Sequence, residues 1–271
     1  MPYRTALAAL LLSLLLAGDL PAETSLIPSV SSGEGFDLNA VYSGSVLVFK
    51  VGEVSLQTRI GDEDYEARSM IEAAGILSLF TDFEIRSEVA GRLGDDAGIT
   101  PDRYAHIERT GDKVREVEVS FDGGIARSDV TPPFGSWGVP PASEEDRRGT
   151  IDPMTAFLSL SEAIAANPQN ACTGSLPVFD GKARYNLNLE PDGRRNIRTP
   201  AWRGEAIVCN AFYEPISGYD PEDMPSESEL RHPLTIWFAP IVEDEYYLPV
   251  RLHTRAGFGG VTIEAVEITI N

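Results

Sequence analysis

Short Asp-Gly pairs between segments of alternating apolar and polar residues constrain the fold of this chain most strongly. They stand at residues 122–123, 180–181 and 192–193. Glycine readily adopts the positive φ that a tight hairpin turn requires, and aspartate tolerates it. Strands joined by such turns pair with their neighbours along the chain. We therefore predict an antiparallel meander, and not a chain of alternating helices and strands.

Alternating segments of this kind follow one another from residue 37 to the C-terminus. Their number predicts about ten to thirteen strands, which suits one large curved antiparallel sheet, either an open barrel or a sandwich. Gly44 and Gly52 interrupt the first two strands and are candidates for bulges or turns. We predict a mainly β fold and a single domain over residues 37–271.

One segment, DPMTAFLSLSEAIAANP at residues 152–168, predicts a helix. Asp152 can cap its first turn, and the proline that follows suits the first helical position. Phe157, Leu160 and Ile164 fall on one face, and the Asn-Pro pair ends the helix. A single amphipathic helix among many strands is expected to pack on the sheet, which offers the only large apolar surface.

The N-terminus has the features of a secretory signal. Residues 1–22 contain one cation, Arg4, and an apolar run, Ala6–Ala17, that is too short to cross a bilayer. We expect cleavage after Ala22, followed by a flexible lead over residues 23–36. No cysteine lies there to carry a lipid, and no later run is long enough for a membrane helix. The sequence predicts a soluble, exported, periplasmic protein without a stable membrane anchor.

The formal net charge of −20 narrows the choice of partners. Such an excess of negative charge repels nucleic acid phosphates and anionic membranes, so we predict no nucleic acid partner. It is compatible with solubility, with cationic partners and with divalent ions.

The chain contains two cysteines, Cys172 and Cys209. In an oxidising compartment an even pair is expected to form a disulfide, and free thiols are the alternative. A nucleophilic cysteine would need a nearby base, and the three histidines are far from Cys172 in sequence. No close-spaced set of metal ligands occurs, and the carboxylate runs are typical of solvated turns. The sequence assigns no catalytic, cofactor-binding or metal-binding residue and predicts no cofactor.

Two long loops interrupt the pattern of strands. Residues 131–149 contain four prolines without an apolar period, and residues 217–231 form an acidic segment. Irregular loops of such length inside a compact domain are usually functional or mobile.

Four segments in a fixed order carry a family resemblance: YSGSVLVFKVGEVSL, DPMTAFLSL, LPVFDGKARYNL, and WFAP followed by YYLPVRL. Together they resemble the DUF3108 family of exported bacterial proteins, over residues 37–269. The resemblance implies an antiparallel, exported β protein. Because the family has no assigned function, it implies no catalytic residues. The two long loops depart from the family pattern.

A curved sheet with one helix leaves a concave face that either packs closed or holds an apolar ligand. The candidate residues for lining such a site are Phe134, Trp137, Phe157, Leu158, Trp237 and Phe238. The alternative interpretation places all six in the core.

We favour a non-catalytic binding or carrier protein for a hydrophobic small molecule or an envelope component, and leave the question of enzymatic activity open. One alternative is a hydrolase of cell-wall sugar or peptide that uses carboxylates such as Glu243 or Asp244 near His253. Another is a structural partner in an envelope assembly, which would dock through the loop at residues 131–149.

Overall fold

The computed structural model describes residues 35–75, 77–79, 81–94, 98–242, 246–256 and 259–271. Its strands are β1 Gly35–Val46, β2 Phe49–Gly61, β3 Asp64–Ala73, β4 Phe83–Gly94, β5 Gly98–Thr110, β6 Lys113–Asp122, β7 Ile125–Thr131, β8 Gly174–Phe179, β9 Arg184–Arg198, β10 Arg203–Ser217, β11 Leu234–Val242, β12 Tyr246–Ala256 and β13 Gly259–Ile270. Its helices are α1 Pro153–Ala166 and α2 Glu227–Leu230, with a 3-10 turn at Leu77–Leu79. The predicted signal at residues 1–22 lies outside the described residues, and so do residues 23–34 of the predicted lead.

All thirteen strands belong to one sheet in the order β7-β6-β5-β4-β3-β2-β1-β13-β12-β11-β10-β9-β8. Consecutive strands pair antiparallel, apart from β7 and β8, which are the two edge strands of the sheet. Strand β1 also pairs with β13 and so joins the two halves of the chain. The sheet curls until it is nearly closed as a barrel. The prediction of a mainly β fold, with one large curved antiparallel sheet and one helix packed on it, is confirmed. Of the two forms considered, an open barrel and a sandwich, the structure has the barrel-like one.

The segment at residues 147–151 bridges the two edge strands. On one side the amide of Gly149 donates to the carbonyl of Gly124, next to β7, at 2.8 Å. On the other side the amide of Ile151 donates to the carbonyl of Pro177 in β8 at 2.9 Å. The unpaired backbone groups of an exposed sheet edge can pair with another chain. This segment covers both edge strands and at the same time closes the barrel.

Helix α1 crosses the concave face and packs against β5, β8 and β12. Leu160 and Ile164 belong to a buried cluster that contains Phe238, whereas Leu158 belongs to a second cluster with Tyr65. The helix therefore fills space between distant strands of the sheet, as its apolar face predicts.

The start of α1 is fixed by a buried carboxylate. Asp152 is 0% exposed, and its Oδ1 accepts hydrogen bonds from the amides of Met154 and Thr155, each at 2.9 Å. Its Oδ2 accepts the Thr155 hydroxyl at 2.5 Å. The Thr155 hydroxyl has only one proton, which it donates to Asp152. The Tyr65 hydroxyl, 2.7 Å from Thr155 Oγ1, is therefore the donor in the hydrogen bond between them. The capping role predicted for Asp152 is confirmed, and the network ties the helix to β3.

Burial raises the pKa of Asp152 from its ordinary 3.8 to about 6, against the lowering effect of its hydrogen bonds. The folded protein thus holds this proton to a higher pH than the unfolded chain. We expect the free energy of unfolding to fall as the pH rises from 4 to 7, with a contribution from this group of at most about 3 kcal/mol. The free energy of unfolding of the Asp152→Asn variant should lack this pH-dependent contribution. Urea unfolding of the wild type and of the variant at several pH values measures this contribution. Stability profiles that run parallel with pH would contradict the prediction.

Two of the three Asp-Gly pairs form the predicted hairpin turns, at residues 122–123 between β6 and β7 and at 180–181 between β8 and β9. The turn predicted at residues 192–193 is wrong, because this pair lies inside β9. There two β9 residues face a single residue of β10, Val208, which makes a bulge. Gly193 has φ +75°, a conformation that suits a bulge as well as a turn.

The predicted disulfide between Cys172 and Cys209 is confirmed, with the two Cα atoms 5.4 Å apart. Both cysteines are buried in the cluster that contains Leu160 and Ile164. The bond ties the chain that leaves α1 to the middle of β10. It also encloses the β8–β9 hairpin.

Candidate functional site

One cavity, of about 380 Å³, lies where the two long loops meet the sheet. It is lined by Ile85, Tyr104, His106, Glu108, Phe134, Asp180, Lys182, Ala183, Gly218, Tyr219 and Asp223. We call it the His106 pocket. Its lining combines aromatic rings with several ionisable side chains, a composition unusual for packing alone and typical of ligand sites.

Strand β5 contributes three lining residues at alternate positions, Tyr104, His106 and Glu108, which therefore point to the same face of the sheet. Nε2 of His106 lies 3.4 Å from Oε1 of Glu108. The hydrogen bond from His106 holds the pKa of Glu108 below its usual value, so this carboxylate is ionised at neutral pH. His106 is 8% exposed, and its Nδ1 has no hydrogen-bond partner among the described residues.

The β8–β9 turn contributes Asp180 and Lys182. Oδ1 of Asp180 accepts the amides of Lys182 at 2.9 Å and of Ala183 at 2.7 Å, so the aspartate builds the turn from its own side chain. Burial raises the pKa of Asp180. Gly181, at φ +107°, packs so closely on β6 that an added Cβ would lie 2.3 Å from Cγ1 of Val117. The Asp-Gly pair is thus both a turn and part of the pocket.

The two long loops are hydrogen-bonded to each other. The amide of Val139 donates to the carbonyl of Tyr219 at 2.8 Å, and the amide of Gly218 donates to the carbonyl of Pro140 at 2.9 Å. Asp220 accepts Nζ of Lys182 at 2.9 Å and also the Ser136 hydroxyl. These bonds fix the first residues after β10 against the proline-rich loop, and they place Tyr219 beside the pocket.

Aromatic rings form the apolar part of the lining. The Phe134 ring has the Arg115 guanidinium 4.6 Å and the Lys182 ammonium 5.6 Å from its centroid. The hydroxyl of Tyr219 is hydrogen-bonded to that of Tyr213, whose pKa burial raises to about 12. The tyrosines therefore stay neutral at physiological pH, and Phe134 presents a face that already attracts cations.

The structure brings together two of the six apolar candidates. Phe134 lines the His106 pocket, and Trp137 packs edge-on against it with ring centroids 5.2 Å apart. Leu158 and Phe238 are buried in two different core clusters, and Phe157 packs against the cluster of Phe238.

Trp237 precedes Phe238 on β11 and packs in a third cluster, beneath the Arg251 guanidinium. This cluster contains none of the other five candidates. Sequence reasoning selected all six residues for their apolar character, a property that packing and lining residues share.

The residues that sequence reasoning did not select are His106, Glu108, Asp180, Lys182 and Tyr219. The signal for the first two was the pattern Tyr-x-His-x-Glu at residues 104–108, which puts two ionisable groups on the inner face of a strand.

Other chemical arrangements have less support. His253, named for the hydrolase alternative, has its Nδ1 2.9 Å from the Thr262 hydroxyl, and Glu243 and Asp244 lie outside the described residues. A second cavity of about 490 Å³ is lined by Arg194 and Glu205, which are paired with each other at 3.2 Å. Within the described part of the chain, no group of three or more His, Cys, Asp or Glu residues is placed to hold a metal ion.

These features define the chain as a barrel-like β protein. Its antiparallel sheet is nearly closed, one helix crosses the concave face, and a pocket lies where the two long loops meet the sheet. The chain belongs to the family described as "Protein of unknown function (DUF3108)", which it matches over residues 39–266. The expected family membership is confirmed. The comparison with curated proteins finds no match.

The solved structures that are similar to this chain include the following two. A beta-barrel-like protein of the DUF1849 family from Brucella abortus has a TM-score of 0.56 at 8% identity, over 89% of this chain and 100% of that one. A "putative lipoprotein" from Parabacteroides distasonis has a TM-score of 0.33 at 12% identity, over 87% of this chain and 95% of that one. The first similarity supports the barrel-like fold. Among the described residues, no helix is long and apolar enough to cross a membrane.

Proposed function

We propose that this chain is an exported, periplasmic, non-catalytic binding protein, and that its ligand occupies the His106 pocket. The observation that carries the proposal is a partly open cavity in which a buried histidine has no partner for Nδ1 among the described residues. Buried polar groups are nearly always hydrogen-bonded, and the exceptions concentrate at functional sites. The cavity volume of about 380 Å³ suits a small molecule.

The geometry favours a small ligand with an apolar part and a polar part, and not a lipid chain along the barrel interior. Leu158, Leu160 and Ile164 of α1 occupy the concave face, where a long apolar ligand would have to lie. In the pocket, Phe134 and Ile85 lie beside ionisable groups. The signal-like N-terminus and the Cys172–Cys209 disulfide support export to an oxidising compartment.

Native mass spectrometry of protein purified from the periplasm tests the proposal. We expect a small molecule to be retained and to be released chemically unchanged. Ile85→Trp, which fills the pocket from β4, should reduce the bound fraction at least about tenfold, since an indole replaces the ligand volume. The matched control is Val266→Trp, because Val266 is an exposed β-branched residue on β13, far from β4 in the order of the sheet, and does not line the pocket.

Two results would contradict the proposal. One is protein that carries no small molecule in its native compartment. The other is a bound molecule that Ile85→Trp and Val266→Trp affect equally, since it would then occupy another part of the protein.

A further inference from the structure

We infer that the ligand of the His106 pocket carries a positively charged amino group next to an apolar or aromatic body. The inference rests on the proposed function and names the chemical class of its ligand. It follows from three features of the lining, namely its charge, its unused hydrogen-bonding groups and its rings.

The lining charges are predominantly negative. Glu108, Asp180 and Asp223 contribute carboxyl groups, whereas Lys182 is the one lysine or arginine among the lining residues that the structure describes. That lysine is already bound, with Nζ 2.9 Å from Asp220 and 3.9 Å from Asp223. Its charge is therefore neutralised from the loop side. Among the described residues, neither the Glu108 carboxylate nor the buried carboxyl group of Asp180 has a lysine or arginine partner at salt-bridge distance.

The unused hydrogen-bonding atoms are acceptors. When His106 donates from Nε2 to Glu108, the neutral ring presents Nδ1 as a lone-pair acceptor, and this atom has no partner among the described residues. Oδ1 of Asp180 takes two backbone amides, which leaves Oδ2 as a further acceptor. A ligand that complements these atoms has to supply donors, and an ammonium group supplies three.

The rings favour the same charge. Tyr104 and Tyr219 present electron-rich surfaces to the pocket, whereas the face of Phe134 already lies within 6 Å of two cationic groups, on Arg115 and Lys182. An anionic ligand would instead meet the carboxylates and the field of a protein with a net charge of −20.

Isothermal titration with a matched pair of probes tests the inference. The probes are 2-phenylethylamine and 2-phenylethanol, which have the same size and the same aromatic body and differ in charge. We expect the amine to bind at least about tenfold more tightly than the alcohol. Glu108→Gln should reduce the affinity for the amine about tenfold and that for the alcohol by much less. The control Glu267→Gln removes the same charge from an exposed position on β13, outside the pocket lining, and should change neither.

The outcomes separate the two proposals. Equal affinities for amine and alcohol, both lost in Ile85→Trp, would overturn the inference on charge and leave the pocket as the binding site. If neither probe binds, the molecule recovered from the native protein decides: a cationic molecule supports the inference, and a neutral or anionic one overturns it. Absence of any recovered molecule would contradict the proposed function itself.

Discussion

Replacing Cys172 and Cys209 together with alanine is expected to lower the free energy of unfolding by about 4 kcal/mol. The disulfide joins residues 37 positions apart, and it restricts the unfolded chain by closing that loop. The loop contains all of β8 and β9, so the hairpin that carries Asp180 and Lys182 is the element most directly affected. Urea unfolding of the oxidised wild type and of the double variant measures the difference.

The reduced wild type is the control for this experiment. Both cysteines are buried in the cluster around α1, so alanine also removes packing contacts. Reduction breaks the bond but keeps the side-chain volume. We therefore expect the reduced wild type to lose most of the 4 kcal/mol and the double variant to lose slightly more. A reduced protein as stable as the oxidised one would contradict the prediction.

The local elements of this fold were predictable because their signals are local. Alternation gives strands, Asp122-Gly123 and Asp180-Gly181 give turns, and Asp152 with the apolar stripe behind it gives α1. The pair at residues 192–193 shows the limit of such reasoning. A glycine at positive φ serves a turn and a bulge equally, and the choice depends on how β9 aligns with β10.

Closure of the barrel was not predictable from the same signals. It depends on pairing between β1 and β13, at opposite ends of the chain, and on the segment at residues 147–151 between the edge strands. Both contacts use backbone groups, which every residue provides. The sequence therefore carries no local mark of either contact, although the number of strands makes a curved sheet the natural outcome.

The site was predictable only in part. The sequence singled out the loops at residues 131–149 and 217–231 and the turn at Asp180, which the structure brings together around one pocket. It did not indicate that these segments meet His106 on β5, because that contact depends on the curvature of the sheet. Ionisable residues on the inner face of a strand were the more informative signal. Burying an ionisable group costs free energy and so indicates a specific role, whereas burying an apolar group is favourable by itself.

Gly218→Ala is expected to lower the free energy of unfolding by about 3 to 5 kcal/mol, because the added methyl group meets backbone and not a flexible side chain. A Cβ on Gly218 would lie 2.1 Å from the carbonyl oxygen of Lys182, and Gly218 also has φ +87°. From the other side, a Cβ on Gly138 would lie 2.2 Å from the carbonyl carbon of Gly218. Three backbone segments are thus in close contact at this point.

The matched control is Gly124→Ala. Gly124 has a similar φ of +73°, but an added Cβ there would have no atom within 4 Å among the described residues beyond its two chain neighbours. It should therefore show only the cost of the left-handed conformation, about 1 to 2 kcal/mol. Urea unfolding of both variants isolates the clash, and equal losses would contradict the prediction.

The same substitution also tests how the His106 pocket is built. To relieve the clash, Gly218 and Lys182 have to move apart, and they belong to the two segments that carry Tyr219 and Asp180 into the lining. Under conditions where the variant is folded, we expect Gly218→Ala to reduce 2-phenylethylamine binding and Gly124→Ala to leave it unchanged. Binding preserved in a folded Gly218→Ala protein would mean that the ligand does not depend on these segments, and the site would then be restricted to the β5 side of the pocket.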